Sequence, residues 1–311
     1  MEQIKKQVID DHVNNKLIEN ACKDGTELGY KLFGGQWTRV SGAMWLSVRS
    51  SLDLSNLAMI NKTTEYLKVK NDSAESLNFA REAVKTYGNG GEVDYDNEIL
   101  KDKSFIGTKA DCVLKSLISK GNNLFKKTSE AFTGNKSKYN LNFVMLDKLD
   151  AALARTPFPE SEKIITINMN SSRIETSSAM NIASIIIHET IHAELHRIIL
   201  TNNSGPNPLP SHLYEWYTDI WKRYEGLYSN PQRVATAAEH NYMAYFFIDP
   251  ITNSLREFDD RTHPLINYKS FAWTGLESYG KDAGLITQSE IDNLVRLSSI
   301  IGTDGHSNPC D

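Results

Sequence analysis

The run His188-Glu189-Thr190-Ile191-His192 sets two imidazoles four residues apart, with a carboxylate beside the first. On an α-helix, residues four apart lie about 40° apart around the axis and one turn along it, so both rings can reach one ion. Glu189 lies one step round from His188, near such an ion without binding it directly. From there it can hold a metal-activated water and take its proton. The chemistry that suits this pattern is metal-assisted hydrolysis. The two histidines and the glutamate interrupt an otherwise apolar run, SIIIHETIHAEL. Burying a carboxylate and two imidazoles there without partners would cost several kcal/mol, and a metal ion removes that cost. The competing reading is two core histidines with backbone partners and a surface glutamate.

A catalytic zinc generally has three protein ligands and one open position. The other histidines are His12, His196, His212, His240, His263 and His306. His196 is two turns beyond His188, about 11 Å along the axis, and is badly placed for an ion held between His188 and His192. His240 sits in AAEHNYMAYFFI among small and apolar residues and is the preferred third ligand. Its neighbour Glu239 is the rival, because some zinc sites take a glutamate from a second helix. The two are about 100° apart on a helix, so only one can point squarely at the ion. The expected cofactor is Zn2+, although sites of histidine and carboxylate also accept other divalent ions.

These residues need helices to carry them. Ser177 or Ser178 can cap a long helix over about Ala179–Leu200, apolar on most sides through Ile182, Ile185, Ile186, Ile187 and Ile191. A helix apolar nearly all round belongs in a core. The Gly- and Pro-bearing stretch from Asn202 to Ser211 ends it. An aromatic helix through Leu213, Tyr217, Trp221 and Tyr224 is expected next, then one after Pro231, one after Pro264 carrying FAWTGLESYG, and a last from Thr287 to about Ile301. The last has Glu290 as its capping-box partner. Upstream, a helix follows Asp72 and stops at Gly88, and another starts at Thr108. Leu141–Leu146 and Lys163–Asn168 are short strand candidates. The stretch Tyr87–Glu98, rich in Gly, Asn and acid, is expected to be a linker or long loop.

The fold class expected is α+β and predominantly helical, with a small sheet and an active-site helix. Residues 1–90 form a helical N-terminal region, and residues 103–311 the domain that carries the motif. A net charge of -5 gives no electrostatic reason to expect nucleic acid or an anionic membrane as partner. No apolar run approaches the ~18 residues of a membrane span. The first residues lack the apolar core of a signal peptide. The location is left open between the cytoplasm and export by a non-classical route. Cys22, Cys112 and Cys310 are few, odd in number and widely spaced, and are expected to be ordinary thiols.

HETIHAELH, with EHNYMAYFFIDPITNSLREFD downstream, resembles the SprT-like zinc metallopeptidase domains of Bacteroidetes proteins. Those have a strand of the type found at Ile164–Asn168, a helix with the pattern of His188–Ala193, and a separate helix like His240–Phe247. The resemblance covers roughly Lys103–Asp282. It implies a zincin-like fold, with His188, His192 and His240 as zinc ligands, Glu189 as catalytic acid/base and a protein or peptide as substrate. Such domains also end polymorphic toxins and secreted effectors, which would make an immunity or regulatory protein the partner. A zinc-containing binding module without activity is the alternative from another class.

Overall fold

The structure, a computed structural model, describes residues 57–70, 73–120, 124–134, 138–150, 152–159, 163–203, 219, 222–228, 231–302 and 310. The expected loop from Asn202 to Ser211 lies outside these residues beyond Asn203, as do most of the aromatic helix after it and the chain before residue 57; Asn202 and Asn203 are helical. The described chain is α+β, mostly helical, with one small mixed five-stranded sheet in the order β1-β2-β3-β5-β4. It divides into two compact units. One gathers Met1–Ile106, Phe132–Val144 and Ser161–Ile164, and the other Gly107–Ala131, Met145–Glu160 and Ile165–Asp311.

In the first unit, α1 (Leu57–Val69) and α2 (Ala74–Gly88) bury Tyr66, Leu67, Phe79, Ala80 and Ala83 together with Leu100. Ser73 caps α2: its side chain accepts from the backbone N–H of Ser76. The stretch expected to be a linker is an antiparallel hairpin of β1 (Glu92–Asp94) and β2 (Ile99–Lys101). Asp94 organises the turn by accepting from the backbone N–H of Asp96 and of Asn97, so a loop-like composition here encodes a tight turn. β2 pairs in parallel with β3 (Asn140–Leu146).

In the second unit, α3 (Lys109–Ser119) starts at Thr108, whose hydroxyl accepts from the N–H of Asp111. α4 spans Leu124–Ser129. β4 (Ala154–Arg155), which the sequence does not announce, pairs antiparallel with β5 (Ile164–Asn170). After the single turn α5 (Ser171–Ile174), the long helix α6 runs over Ala179–Asn203. Its start is capped by Ser178, which accepts from the N–H of Asn181. Ile182, Ala183, Ile186, Ile187, Ile191 and Ala193 of α6 are all buried, as its pattern requires. α3, α4, α7 (Pro231–Phe246) and α8 (Ile248–Phe258) pack against it.

The segment after Pro264 is not one helix. A 3-10 turn leads into α9 (Lys269–Trp273), the chain turns at Gly275, and α10 covers Glu277–Asp282. Gly275 has φ +80°, a conformation that favours glycine. The capping box of Thr287 and Glu290 is present on α11 (Gln288–Ser298).

The cysteine expectation also needs correction. Cys112 on α3 is disulfide-bonded to Cys310, with Cα atoms 5.6 Å apart and a sequence separation of 198. A pairing so distant leaves no spacing signal in the chain. Closing so long a loop restricts the unfolded state, typically for about 2–4 kcal/mol. Reduction should therefore lower Tm by roughly 3–6 °C. A thiol count on the denatured, unreduced protein should find at most one of the three cysteines free. A count of three would contradict the pairing.

Candidate metal centre

Two helices of the second unit build the site. α6 carries His188, Glu189, His192 and His196 along one side, and α7 carries Glu239 and His240. The Nε2 atoms of His188, His192 and His240 converge, with separations of 3.2 Å (His188–His192), 3.3 Å (His188–His240) and 3.1 Å (His192–His240). Three nitrogens on a tetrahedral zinc, each at about 2.0–2.1 Å, stand about 3.3–3.4 Å from one another. The triangle therefore has close to the size that such an ion asks for. Among the described residues, these three are one of two groups of side chains that could hold a metal, and the identity of the ion is open.

The other group is His192, His196 and Glu239. Glu239 Oε2 lies 2.7 Å from His192 Nδ1, and Oε1 lies 3.1 Å from His196 Nε2. Burial would raise the Glu239 pKa, but its bonds to the two histidines prevail and lower it to about 2. An ionised carboxylate only accepts, so His192 Nδ1 must be the donor. The neutral ring then presents a lone pair at Nε2, toward the other two histidines. Among the described residues, His240 Nδ1 is buried without a hydrogen-bond partner. Shared protons cannot satisfy three nitrogens that face one point, and a cation can. The donor set therefore fits a zinc-like ion.

Glu189 is buried at 7% exposure. Thr156, just after β4, donates its hydroxyl to Glu189 Oε2 at 2.8 Å. Burial raises the Glu189 pKa, partly offset by the charge of His192 and the hydrogen bonds from Thr156. The surrounding chain holds the rings in place. A Cβ at Gly275 would lie 3.6 Å from His188 Cε1, so this turn runs directly against that ring. The Tyr279 ring is 4.9 Å from the His240 ring, centroid to centroid. Ser184 donates to the Phe271 carbonyl at 2.6 Å and ties α6 to α9.

Thus His188, His192 and His240 come together, while Glu239 meets the opposite nitrogen of His192 and His196 faces Glu239. Thr156, Gly275 and Tyr279 were not anticipated. No local pattern marks Thr156 or Gly275, because each reaches the site through tertiary packing. His263 lies elsewhere, bonded through Nδ1 to Asp259. His12, His212 and His306 are outside the described residues.

The protonation of the free site gives a test. Burial, then the charges of His192 and His240, holds His188 well below the ordinary histidine value. Burial, with the charge of His192, lowers His240 to about 3. Burial also pulls His192 down, but the hydrogen bond and charge of Glu239, with the charge of Glu189, outweigh it and leave the pKa raised. Of the three rings, then, His192 alone has its pKa raised, and as pH falls through that pKa the ring takes up its second proton at Nε2. Metal affinity is full above the His192 pKa and falls as pH drops below it. The fall should be about 10-fold per pH unit, the signature of one competing proton. A fall approaching 1,000-fold per unit in a chelator competition would mean three ordinary imidazoles instead.

No described helix is long and apolar enough to cross a membrane. No family model matches this chain, and no curated protein or solved structure matches it either.

Proposed function

We propose that this chain is a zinc-dependent peptidase of the zincin type, in which His188, His192 and His240 hold the metal and Glu189 is the general base. The observation that carries the reading is the convergence of three Nε2 atoms within 3.3 Å, beside a buried carboxylate on the same helix. A zinc ion held there supplies Lewis acidity, which activates water and polarises a peptide carbonyl. The chain's own residues supply the rest. His188 and His240 come as neutral donors, kept so by burial, while His192 gives up its Nε2 proton when the ion binds. Thr156 fixes the Glu189 carboxylate through Oε2. The raised pKa makes Glu189 a stronger base than an exposed glutamate, and it can take a proton from water and pass it to the leaving amine. The resemblance to SprT-like domains agrees with this reaction class.

The test is cleavage of unfolded casein by the purified protein, zinc-loaded and metal-stripped, beside Glu189→Gln. The expected result is cleavage by the loaded wild type, loss on stripping and recovery when zinc returns. Cleavage that persists without metal, or a loaded wild type that cleaves no more than Glu189→Gln, would overturn it.

A further inference from the structure

We propose that Glu239 and His196 are positioning residues: a carboxylate shared between His192 Nδ1 and His196 Nε2 that fixes the tautomer of His192 and aims its Nε2 at His188 and His240. The proposal rests on the reading of that triangle as a metal site. α7 grips His192 on both ring nitrogens, with His240 3.1 Å from Nε2 and Glu239 2.7 Å from Nδ1. Adjacent residues on a helix diverge by about 100°, which lets neighbours reach opposite edges of one ring. Without Glu239, His192 could carry its proton on Nε2, and the lone pair that faces the triangle would be gone.

His196 completes the arrangement from one turn further along α6. Its Nε2 lies 3.1 Å from Glu239 Oε1, so both carboxylate oxygens have a partner. Its Nδ1 is buried without a partner among the described residues, so the hydrogen it donates to Glu239 is the one on Nε2. The Phe158 ring packs edge-on against it, with centroids 5.1 Å apart. Glu239, His192 and His196 are all at most 6% exposed, so water is a poor substitute for any of the three. The same three groups could in principle take a second ion. Direct contacts of 2.7 and 3.1 Å are hydrogen-bond lengths, and they satisfy Glu239 with no ion between.

The experiment uses the full chain, with and without zinc. It reads the histidine side-chain 15N signals at alkaline pH, the zinc affinity by chelator competition, the zinc stoichiometry and the Tm of the metal-free protein. The variants are Glu239→Gln, which keeps the size of the side chain, His196→Gln, which keeps a donor, and His196→Ala. An amide has one acceptor oxygen for two N–H donors, so Glu239→Gln forces one of the two histidines to turn or change tautomer. Expected are an Nδ1–H tautomer of His192 in the wild type with or without zinc, and its loss in Glu239→Gln. Zinc binding in that variant should weaken about 10–100-fold, the usual cost of losing such a partner. His196→Ala should weaken binding less, and His196→Gln should recover most of that loss. A purely structural role would lower Tm and leave tautomer and affinity alone. The proposal is overturned by an Nε2–H tautomer in the metal-free wild type, by Glu239→Gln affinity within twofold of wild type, or by two zinc ions per chain with one lost in His196→Ala. A wild type that binds no zinc but loses the Nδ1–H tautomer in Glu239→Gln would support the positioning and refute the metal reading alone.

Discussion

Glu189→Gln is expected to lower the rate of peptide cleavage by ~10² or more while leaving metal content and fold intact, the usual scale for removing a general acid/base group. Gln has the size of Glu and can still accept from the Thr156 hydroxyl, which reaches Glu189 Oε2 at 2.8 Å. It cannot take a proton. Because burial disfavours the charged carboxylate, the neutral amide should not destabilise the helix, and Tm should hold or rise. These directions separate three accounts. A peptidase loses rate and keeps zinc and stability. A zinc-containing binding module has no rate to lose. A merely structural Glu189 loses stability. Tm, zinc content and cleavage have to be measured on the same preparation.

The largest effect on binding is expected from the ligands. His188→Ala together with His192→Ala removes two of the three converging nitrogens and should abolish metal binding. Binding stabilises the folded chain by about 4 kcal/mol when free zinc is 1,000 times its dissociation constant. Added zinc should therefore raise the Tm of the wild type by several degrees and leave that of the double variant unmoved. In the metal-free state the double variant should be the less stable, because truncating both rings opens a cavity and His192→Ala leaves the buried Glu239 carboxylate without its Nδ1 partner. A zinc-dependent Tm shift in the double variant equal to that of the wild type would rule out these ligands.

The elements that carry the site were legible because their signals are local. The apolar run around Ile182–Ile191 specifies a buried helix, Ser177 or Ser178 marks its start (the cap is Ser178), and β-branched residues mark β5. The four-residue spacing put His188 and His192 on one side of that helix, and the apolar setting of His240 singled it out. Glu239 and His196 were weighed only as ligands. Whether a carboxylate meets an ion or the far nitrogen of a ligand depends on helix rotation within a few tens of degrees, which sequence does not encode locally. The hairpin after Tyr87 was missed because its turn residues dominate three-residue strands. The break at Gly275 was missed because a single glycine can sit within a helix, and it takes the neighbouring His188 ring to explain this one. The Cys112–Cys310 bond spans most of the chain and is a tertiary fact.

The most direct measurement is the zinc content of the purified full chain, by elemental analysis after equilibration with zinc and removal of the excess, beside the His188→Ala/His192→Ala variant. The account predicts about one zinc per chain in the wild type and none in the variant. Full occupancy in the variant, or none in the wild type, would contradict it.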